Sequence, residues 1–276
     1  MTRVGLLHPG EMGAAVGAAL RTGGADVLWA SNGRSDATRS RAEAAGLTDV
    51  GTLAELVERS ETIVSVCPPH AALDQARAVA ACGFEGTYVD VNAVAPATAR
   101  EIAGTAGRVT DGGIIGGPPR TKGTTRLYLS GPGAGDVAGL FAGSPLEAIV
   151  LDGDVGAASA LKMCFAAWTK GTSALLVAVR AVAAAEQVDR ALLEEWAISQ
   201  PDLPGRSEGA ARGTAAKAWR FVGEMHEIAE TFATAGLPAG FHLAAADVYE
   251  RMARFQDAEN APTLEDVVAA VIRSPP

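Results

Sequence analysis

Roughly the first half of the chain repeats one pattern: a short apolar run, a turn marked by Gly or Pro, then a stretch with helical spacing. Residues 4–7 form the first run and stop at His8-Pro9-Gly10. Residues 11–21 then carry Met12, Val16 and Leu20 at helical spacing, and Gly23-Gly24 ends them. Strands are expected again at 26–30, 62–66, 87–91, 108–110, 126–130 and 148–151, with helices at 37–45, 52–59, 71–81 and near 97–104. Thr52 with Glu55 three residues on is a capping-box pattern. Strands that alternate with helices pair in parallel, because a helical crossover returns the chain to the same end of the sheet. The pattern therefore predicts a mostly parallel, doubly wound sheet with helices on both faces.

The pattern changes after Leu151. Residues 156–188 contain almost no Gly or Pro and are dominated by Ala, Leu and Val, which reads as one long helix. Helices are expected at 190–199, 207–228, 239–254 and 264–272, and no strand. A boundary within Leu151-Asp152-Gly153-Asp154 divides the chain into residues 1–152, an α/β domain, and residues 153–276, an all-α domain. With 276 residues, 48% of them hydrophobic, both parts can bury a core.

Composition narrows the partners. The 23 Lys and Arg against 32 Asp and Glu give a net charge of −9, which argues against nucleic acid and anionic membranes. Residues 164–185 are the most apolar later stretch, but Lys170 and Arg180 interrupt them, so no membrane span is expected. Arg3 leads straight into the first apolar run, so no leader is expected. The three cysteines, Cys67, Cys82 and Cys164, are too few and too scattered for a disulfide framework or a zinc site. That favours a reducing, cytoplasmic setting. No cluster of His, Cys and carboxylate suggests a metal.

The first strand, turn and helix hold His8-Pro9-Gly10-Glu11-Met12-Gly13. A dinucleotide fingerprint is G-x-G-x-x-G in that context; Gly10 and Gly13 match, and His8 takes the first place. Gly10 lets the backbone approach a pyrophosphate, Gly13 allows close helix–strand packing, and the helix N-terminus favours an anion. Where an NAD site places Asp or Glu after the second strand, this chain has Ser31, Asn32, Arg34 and Ser35, with Arg39 and Arg41 beyond. A carboxylate repels a 2′-phosphate, whereas Arg pairs with it, so the expected cofactor is NADP(H). Cys67, Pro68 and Pro69 after the strand expected at 62–66, and Asn92 after the next strand, fall where ligands bind outside the carboxyl ends of parallel strands.

These pieces together resemble the β-hydroxyacid dehydrogenase and 6-phosphogluconate dehydrogenase superfamily. Gly5-Leu6-Leu7-His8-Pro9-Gly10-Glu11-Met12-Gly13 looks like its opening, and Val66-Cys67-Pro68-Pro69 like its cofactor-side turn. Asp90-Val91-Asn92-Ala93-Val94-Ala95-Pro96 is similar to its next strand and loop. Asp111-Gly112-Gly113-Ile114-Ile115-Gly116-Gly117 stands where the family has a substrate-side Gly loop, which makes Ile115, Gly116 and Gly117 substrate-binding candidates. Gly156-Ala157-Ala158-Ser159-Ala160-Leu161-Lys162 resembles the start of the interdomain helix, with Lys162 at the catalytic-lysine position. The resemblance spans nearly the whole chain. It implies a Rossmann domain, a helical domain, a site between them, dimers with intertwined helical domains, and reversible hydride transfer with Asn92 and Lys162 as catalytic residues.

Hydride transfer to a carbonyl builds negative charge on oxygen, and a lysine in a partly apolar setting is a suitable proton donor. Phe165, Ala166, Thr169 and Ser173 share Lys162's helix face, which adds Phe165 and Thr169 as substrate contacts; Lys170 is a further candidate for a substrate anion. The chain departs from the hydroxyacid pattern in places. Phe165 and Ala166 stand where the family carries Asn, Ile115 replaces a Ser, and the late-helix Lys falls near Gly223. A more apolar substrate site follows, so an imine or enamine reductase is the alternative, and a non-catalytic NADP sensor the third reading. Trp168, Trp196 and Trp219 are expected in the core or a dimer interface, and His226 and His242 as structural or surface histidines.

Overall fold

The computed structural model describes residues 1–256, 258 and 260–272. In chain order its elements are β1 (Arg3–Leu7), α1 (Glu11–Thr22), β2 (Asp26–Trp29), α2 (Asp36–Ala44), β3 (Thr48–Asp49), α3 (Leu53–Arg59), β4 (Thr62–Ser65), α4 (Ala72–Ala81), β5 (Thr87–Asp90) and α5 (Pro96–Thr105). Then come β6 (Arg108–Ile115), β7 (Thr125–Ser130), α6 (Ala134–Gly139) and β8 (Leu146–Val150). The remainder is helical: α7 (Ala157–Ala185), α8 (Asp189–Ser199), α9 (Leu203–Ala215), α10 (Ala218–Thr234), α11 (Gly240–Met252) and α12 (Leu264–Ile272).

The strands form one sheet in the order β3-β2-β1-β4-β5-β6-β7-β8. Every neighbouring pair is parallel except β6 with β7. The alternation of side chains along each strand sorts them onto two faces. Val4, Leu6, Val27, Trp29, Val64 and Val89 pack on one face with Val16 and Leu20 of α1, Ala42 of α2 and Val137 of α6. Leu7, Leu28, Ile63 and Tyr88 pack on the other with Leu56 of α3, Ala76 and Val79 of α4, and Ile102 of α5. Helices on both faces make this the doubly wound sheet that the sequence pattern predicts. The capping box at α3 is present, Thr52 accepting from the Glu55 N–H while the Glu55 carboxylate accepts from Thr52.

Three expectations change. Residues 111–115 are not a loop: β6 runs on to Ile115, its second half paired antiparallel with β7. Glycine is usual in turns, but Gly112 and Gly113 serve close packing here. The helix expected at 207–228 is two helices, α9 and α10, broken at Ala216-Lys217; apolar periodicity does not show a break between two Ala-rich segments. The short β3 and α6 carry too few apolar residues to register in a periodicity reading.

Two compact units divide after Met163, eleven residues beyond the 152/153 boundary drawn from the sequence (163 − 152). The first turns of α7 lie with the sheet because β6 caps them. Asp111 Oδ2 accepts from the N–H groups of Gly156 (2.9 Å) and Ser159 (3.0 Å), and its Oδ1 from the Ser159 hydroxyl (2.6 Å). Ser130 Oγ accepts the Ala158 N–H at 3.0 Å.

In the helical unit, Arg180 is buried and ties three helices together. Its guanidinium grips Asp189 in a bidentate pair (2.6 and 3.0 Å) and donates to Ser207 Oγ (2.8 Å). Among the described residues, no helix is long and apolar enough to cross a membrane, and no group of three His, Cys, Asp or Glu is placed to hold a metal ion.

Candidate cofactor and active site

The sheet's strand order reverses around β1, with β2 on one side and β4 on the other, and ligands of such sheets bind past the carboxyl ends there. The register shows what stands in that row. Leu6 pairs with Trp29, Leu7 with Ser65, Ser65 with Asp90, and Asp90 with Asp111. Counting on by one or two residues brings His8 and Pro9, Ser31 and Asn32, Cys67, Asn92 and Gly113 level with one another.

The turn after β1 is shaped by close approach. A side chain at Gly13 would strike the His8 carbonyl oxygen, so only glycine lets α1 start so near β1. At Gly10 no atom lies within 4 Å of a Cβ position, so the loop's mouth is open. Gly10 is the N-cap of α1 and no side chain caps that helix start, as an anion-binding helix end requires. Pro9 is buried, Met12 packs against the core, and Glu11 is exposed with Arg120 at 3.9 Å. These residues fit a dinucleotide.

His8 has φ 63°, the left-handed region, and its Nδ1 is buried without a hydrogen-bond partner. Burial, then the Arg34 guanidinium, push its pKa down to about 4, so the imidazole is neutral at physiological pH. Arg34 is half-buried. Its neighbours divide by role: Ser35 caps α2 by accepting the Thr38 N–H, and Arg39 donates to the Ser31 carbonyl at 2.9 Å. Asn32 is exposed and its N–H donates to the Gly51 carbonyl. Of the basic residues expected after β2, Arg39 is thus partly spent on the turn itself, while Arg34 stands beside the phosphate loop.

Asn92 is 3% exposed, and its amide is occupied by the protein. Its Oδ1 accepts the Cys67 N–H at 2.6 Å, and its Nδ2 donates to Ser65 Oγ at 3.1 Å and to Asp90 Oδ1. Both N–H groups are used, so Asn92 holds the Cys67-Pro68 turn in place rather than presenting donors. Cys67 is half-buried; burial outweighs its contact with Ser65 and pushes its thiol up to about 12, which leaves it a weak nucleophile. Pro68 is exposed and Pro69 opens a short 3₁₀ turn into α4.

Lys162 is half-buried on α7 and seated against β6. A Cβ at Gly113 would stand 2.9 Å from Lys162 Cβ and 2.8 Å from the Ala158 carbonyl oxygen, so the helix rests on glycine backbone. Ile115 is buried at 5% exposure, and Gly116 has φ 120° with the Thr124 carbonyl filling its Cβ position. Gly117 is exposed, and its carbonyl accepts from the Thr125 hydroxyl at 2.7 Å.

Phe165, Thr169 and Lys170 belong to the helical unit. Phe165 is exposed, and the Thr169 and Ser173 hydroxyls bond back to carbonyls of their own helix at 3.0 and 2.9 Å. Lys170 is paired with Glu224, lies 4.9 Å over the Phe221 ring, and its carbonyl accepts from Tyr249 Oη at 2.7 Å. His242 is buried between Phe232 and Phe241, and His226 is exposed. Trp168 and Trp219 are exposed rather than in the core. Sequence reasoning missed the Asp111 cap and the Ser65–Asp90–Asn92 cluster. Their signal was polar residues at the carboxyl ends of otherwise apolar strands.

Comparisons with known proteins agree with this architecture. Residues 183–252 match the family model described as a domain of unknown function, DUF1932. An uncharacterized 28.5 kDa protein of Methanothermus fervidus is 34% identical over 161 residues, 57% of this chain and 62% of that protein. The chain thus spans less than two thirds of that relative. A conserved protein of unknown function, solved and described as structurally similar to 3-hydroxyacid dehydrogenases, is 25% identical with a TM-score of 0.68 over 91% of this chain and 97% of its own. A Mycobacterium tuberculosis 3-hydroxyisobutyrate dehydrogenase solved with L-serine is 18% identical with a TM-score of 0.65 over 99% of this chain and 100% of its own. An Aspergillus terreus reductive aminase solved with NADPH is 18% identical with a TM-score of 0.55 over 98% and 99% of the two chains. Residues 183–252 of the helical half thus match the DUF1932 model, and the chain has the fold of 3-hydroxyacid dehydrogenase-like proteins.

Proposed function

We propose that the protein is an NADP(H)-dependent oxidoreductase that reduces a small carbonyl or oxidises the matching alcohol, with Lys162 as general acid/base. The observation that carries the reading is the single row past the strand ends: the phosphate loop, the Cys67–Asn92 turn, and Gly113 with Lys162 seated on it. Pro9 to Met12 and the start of α1 would hold the pyrophosphate, with His8 at the first place of the loop, and Arg34 with Ser31 and Asn32 the phosphorylated ribose. A bound nicotinamide supplies or accepts the hydride. Lys162 gives its proton to the substrate oxygen in reduction and takes it back in oxidation. Asn92 keeps the Cys67-Pro68 turn fixed beside it.

A second reading, reduction of an imine or enamine, is favoured by one feature of α7. Phe165 and Ala166 replace the family's polar residues, and the Thr169 hydroxyl is turned into its own helix. The fold shared with a reductive aminase adds to it. We also propose that the helical unit pairs with a second copy, since Trp168 (68% exposed), Val182 (63%) and Ile198 (80%) leave it an apolar exterior. Sedimentation equilibrium showing a monomer would remove that part.

The test is NADPH consumption with a panel of aldehydes, keto acids and cyclic imines, for wild type and Lys162→Ala. Turnover of carbonyls that needs Lys162 supports the first reading; turnover confined to imines moves the assignment to the second. Full turnover in Lys162→Ala refutes the acid/base role. Arg34→Ala should weaken NADPH binding by about 10- to 100-fold, the loss of roughly 1.5–3 kcal/mol for a charged hydrogen bond, and spare NADH.

A further inference from the structure

His8 combines three features that a tight βα turn does not need. It holds a left-handed backbone, φ 63°, at a place where glycine would sit without strain, although the loop uses glycine at Gly10 and Gly13. It buries Nδ1 with no partner. It stands beside the Arg34 guanidinium, a position that disfavours a second positive charge. A residue held at such cost, in a site otherwise shaped by glycine, points to a role for its side chain.

The tautomer follows from burial. An orphaned buried N–H costs more than an orphaned lone pair, so Nδ1 carries the lone pair and the proton sits on Nε2. Placing a second proton on Nδ1 would create a buried unsatisfied donor next to Arg34. The half-buried ring therefore keeps its one N–H donor on Nε2, the nitrogen that is not sealed in the protein. Carried on two residues past Leu6–Trp29, the register sets His8 level with Ser31, at the carboxyl end of β2, where Arg34's turn begins.

We propose that His8 is a specificity-determining residue for the phosphate on the adenosine ribose, its Nε2–H donating to the same phosphate group that Arg34 pairs with. The inference rests on the NADP(H) reading and deepens it. The other charged groups at this turn are engaged with one another and with the backbone: Arg39 donates to the Ser31 carbonyl, the Asp49 carboxylate accepts from Ser31 and from the Gly51 N–H near Arg39, and Glu11 faces Arg120. The pair divides the work. Arg34 supplies the charge, and His8 supplies a donor of fixed direction that does not depend on protonation across neutral pH.

The experiment is calorimetric titration with NADPH, NADH and adenosine 2′,5′-bisphosphate, using wild type, His8→Gly, His8→Asn and Arg34→Ala, with Tm recorded for each. His8→Gly should keep or raise Tm, because glycine relieves the left-handed strain, yet weaken NADPH and the bisphosphate by about 10-fold, the worth of one hydrogen bond to a charged group. NADH binding should not change. His8→Asn, which tolerates the same backbone and keeps a donor, should recover part of the loss. Equal losses for NADPH and NADH, or no loss for either, would overturn the inference. If wild type shows no preference for NADPH, or Arg34→Ala leaves the preference intact, the NADP(H) reading fails and the inference with it. If Arg34→Ala abolishes the preference while His8→Gly keeps it, the reading stands and only the role of His8 falls.

Discussion

Asp111→Ala should be among the most damaging single substitutions in the sheet unit, and Asp111→Asn the smaller loss of the two. The carboxylate is fully buried and accepts four hydrogen bonds, from the Gly156 N–H, the Ser159 N–H, the Ser159 hydroxyl and the Ser130 hydroxyl. Alanine strands two N–H donors at the start of α7 and two hydroxyls. Losing a helix cap costs about 1 kcal/mol, and each buried donor left unpaired costs about 1–3 kcal/mol, though the hydroxyls can rotate. Because the four bonds share one acceptor group and are not additive, the net loss should be about 3–5 kcal/mol. Asparagine keeps part of this. Its carbonyl oxygen in the Oδ2 position still accepts both N–H groups and the Ser130 hydroxyl, and its NH₂ in the Oδ1 position donates one hydrogen to Ser159 Oγ. The charge assistance, the acceptor for the Ser159 hydroxyl and a partner for the second NH₂ hydrogen are lost, together about 2–3 kcal/mol. Equilibrium urea unfolding, followed by far-UV circular dichroism and by fluorescence, reads both variants. A loss below about 1 kcal/mol for alanine, or equal losses for the two, would refute the account of Asp111 as the cap of α7.

Three other outcomes follow from the same geometry. Gly113→Ala should push α7 from β6, costing about 1–3 kcal/mol of stability and lowering turnover, measured by urea unfolding and by NADPH consumption; an unchanged enzyme would contradict the contact with Ala158 and Lys162. His8, with a folded pKa near 4, binds its proton later than the unfolded chain does as pH falls. The unfolded state then holds more protons between pH 6.5 and 4, so stability falls on acidification through that window, by about 1–2 kcal/mol after solvent screening. His8→Gly should remove that part of the slope; identical slopes would count against the buried imidazole. Iodoacetamide at pH 8 should label exposed Cys82 and Cys164 well before Cys67, whose thiol is pushed up to about 12, and peptide mass spectrometry showing equal rates would contradict its burial.

Much of this was legible in the sequence because the physics that sets it is local. The β-α alternation, the glycines of the first turn and the Thr52–Glu55 box each depend on residues within a few places of one another. The phosphate loop and the end of β2 could be read as one site because the doubly wound topology is regular. What stayed hidden depends on partners far along the chain. Asp111, Gly112 and Gly113 look like a flexible loop in sequence, yet they are strand residues, and the two glycines are kept small by Val91, Ala158 and Lys162. Asn92 looks like a free ligand-facing amide until Ser65, Asp90 and Cys67 are seen to occupy it. Thr169 and Ser173 look like site hydroxyls until the helix claims them.

The cap on α7 also bears on the order in which the chain assembles. Asp111 reaches residues 45 and 48 places further on, after all eight strands have been made. During synthesis the sheet can therefore be complete before its capping partners leave the ribosome, and until then it carries a buried carboxylate with its N–H partners missing. Asp111 gains its last hydrogen-bond partners only once Ser159 arrives, so a chain halted shortly before that residue should hold the strands but remain open to protease along β6.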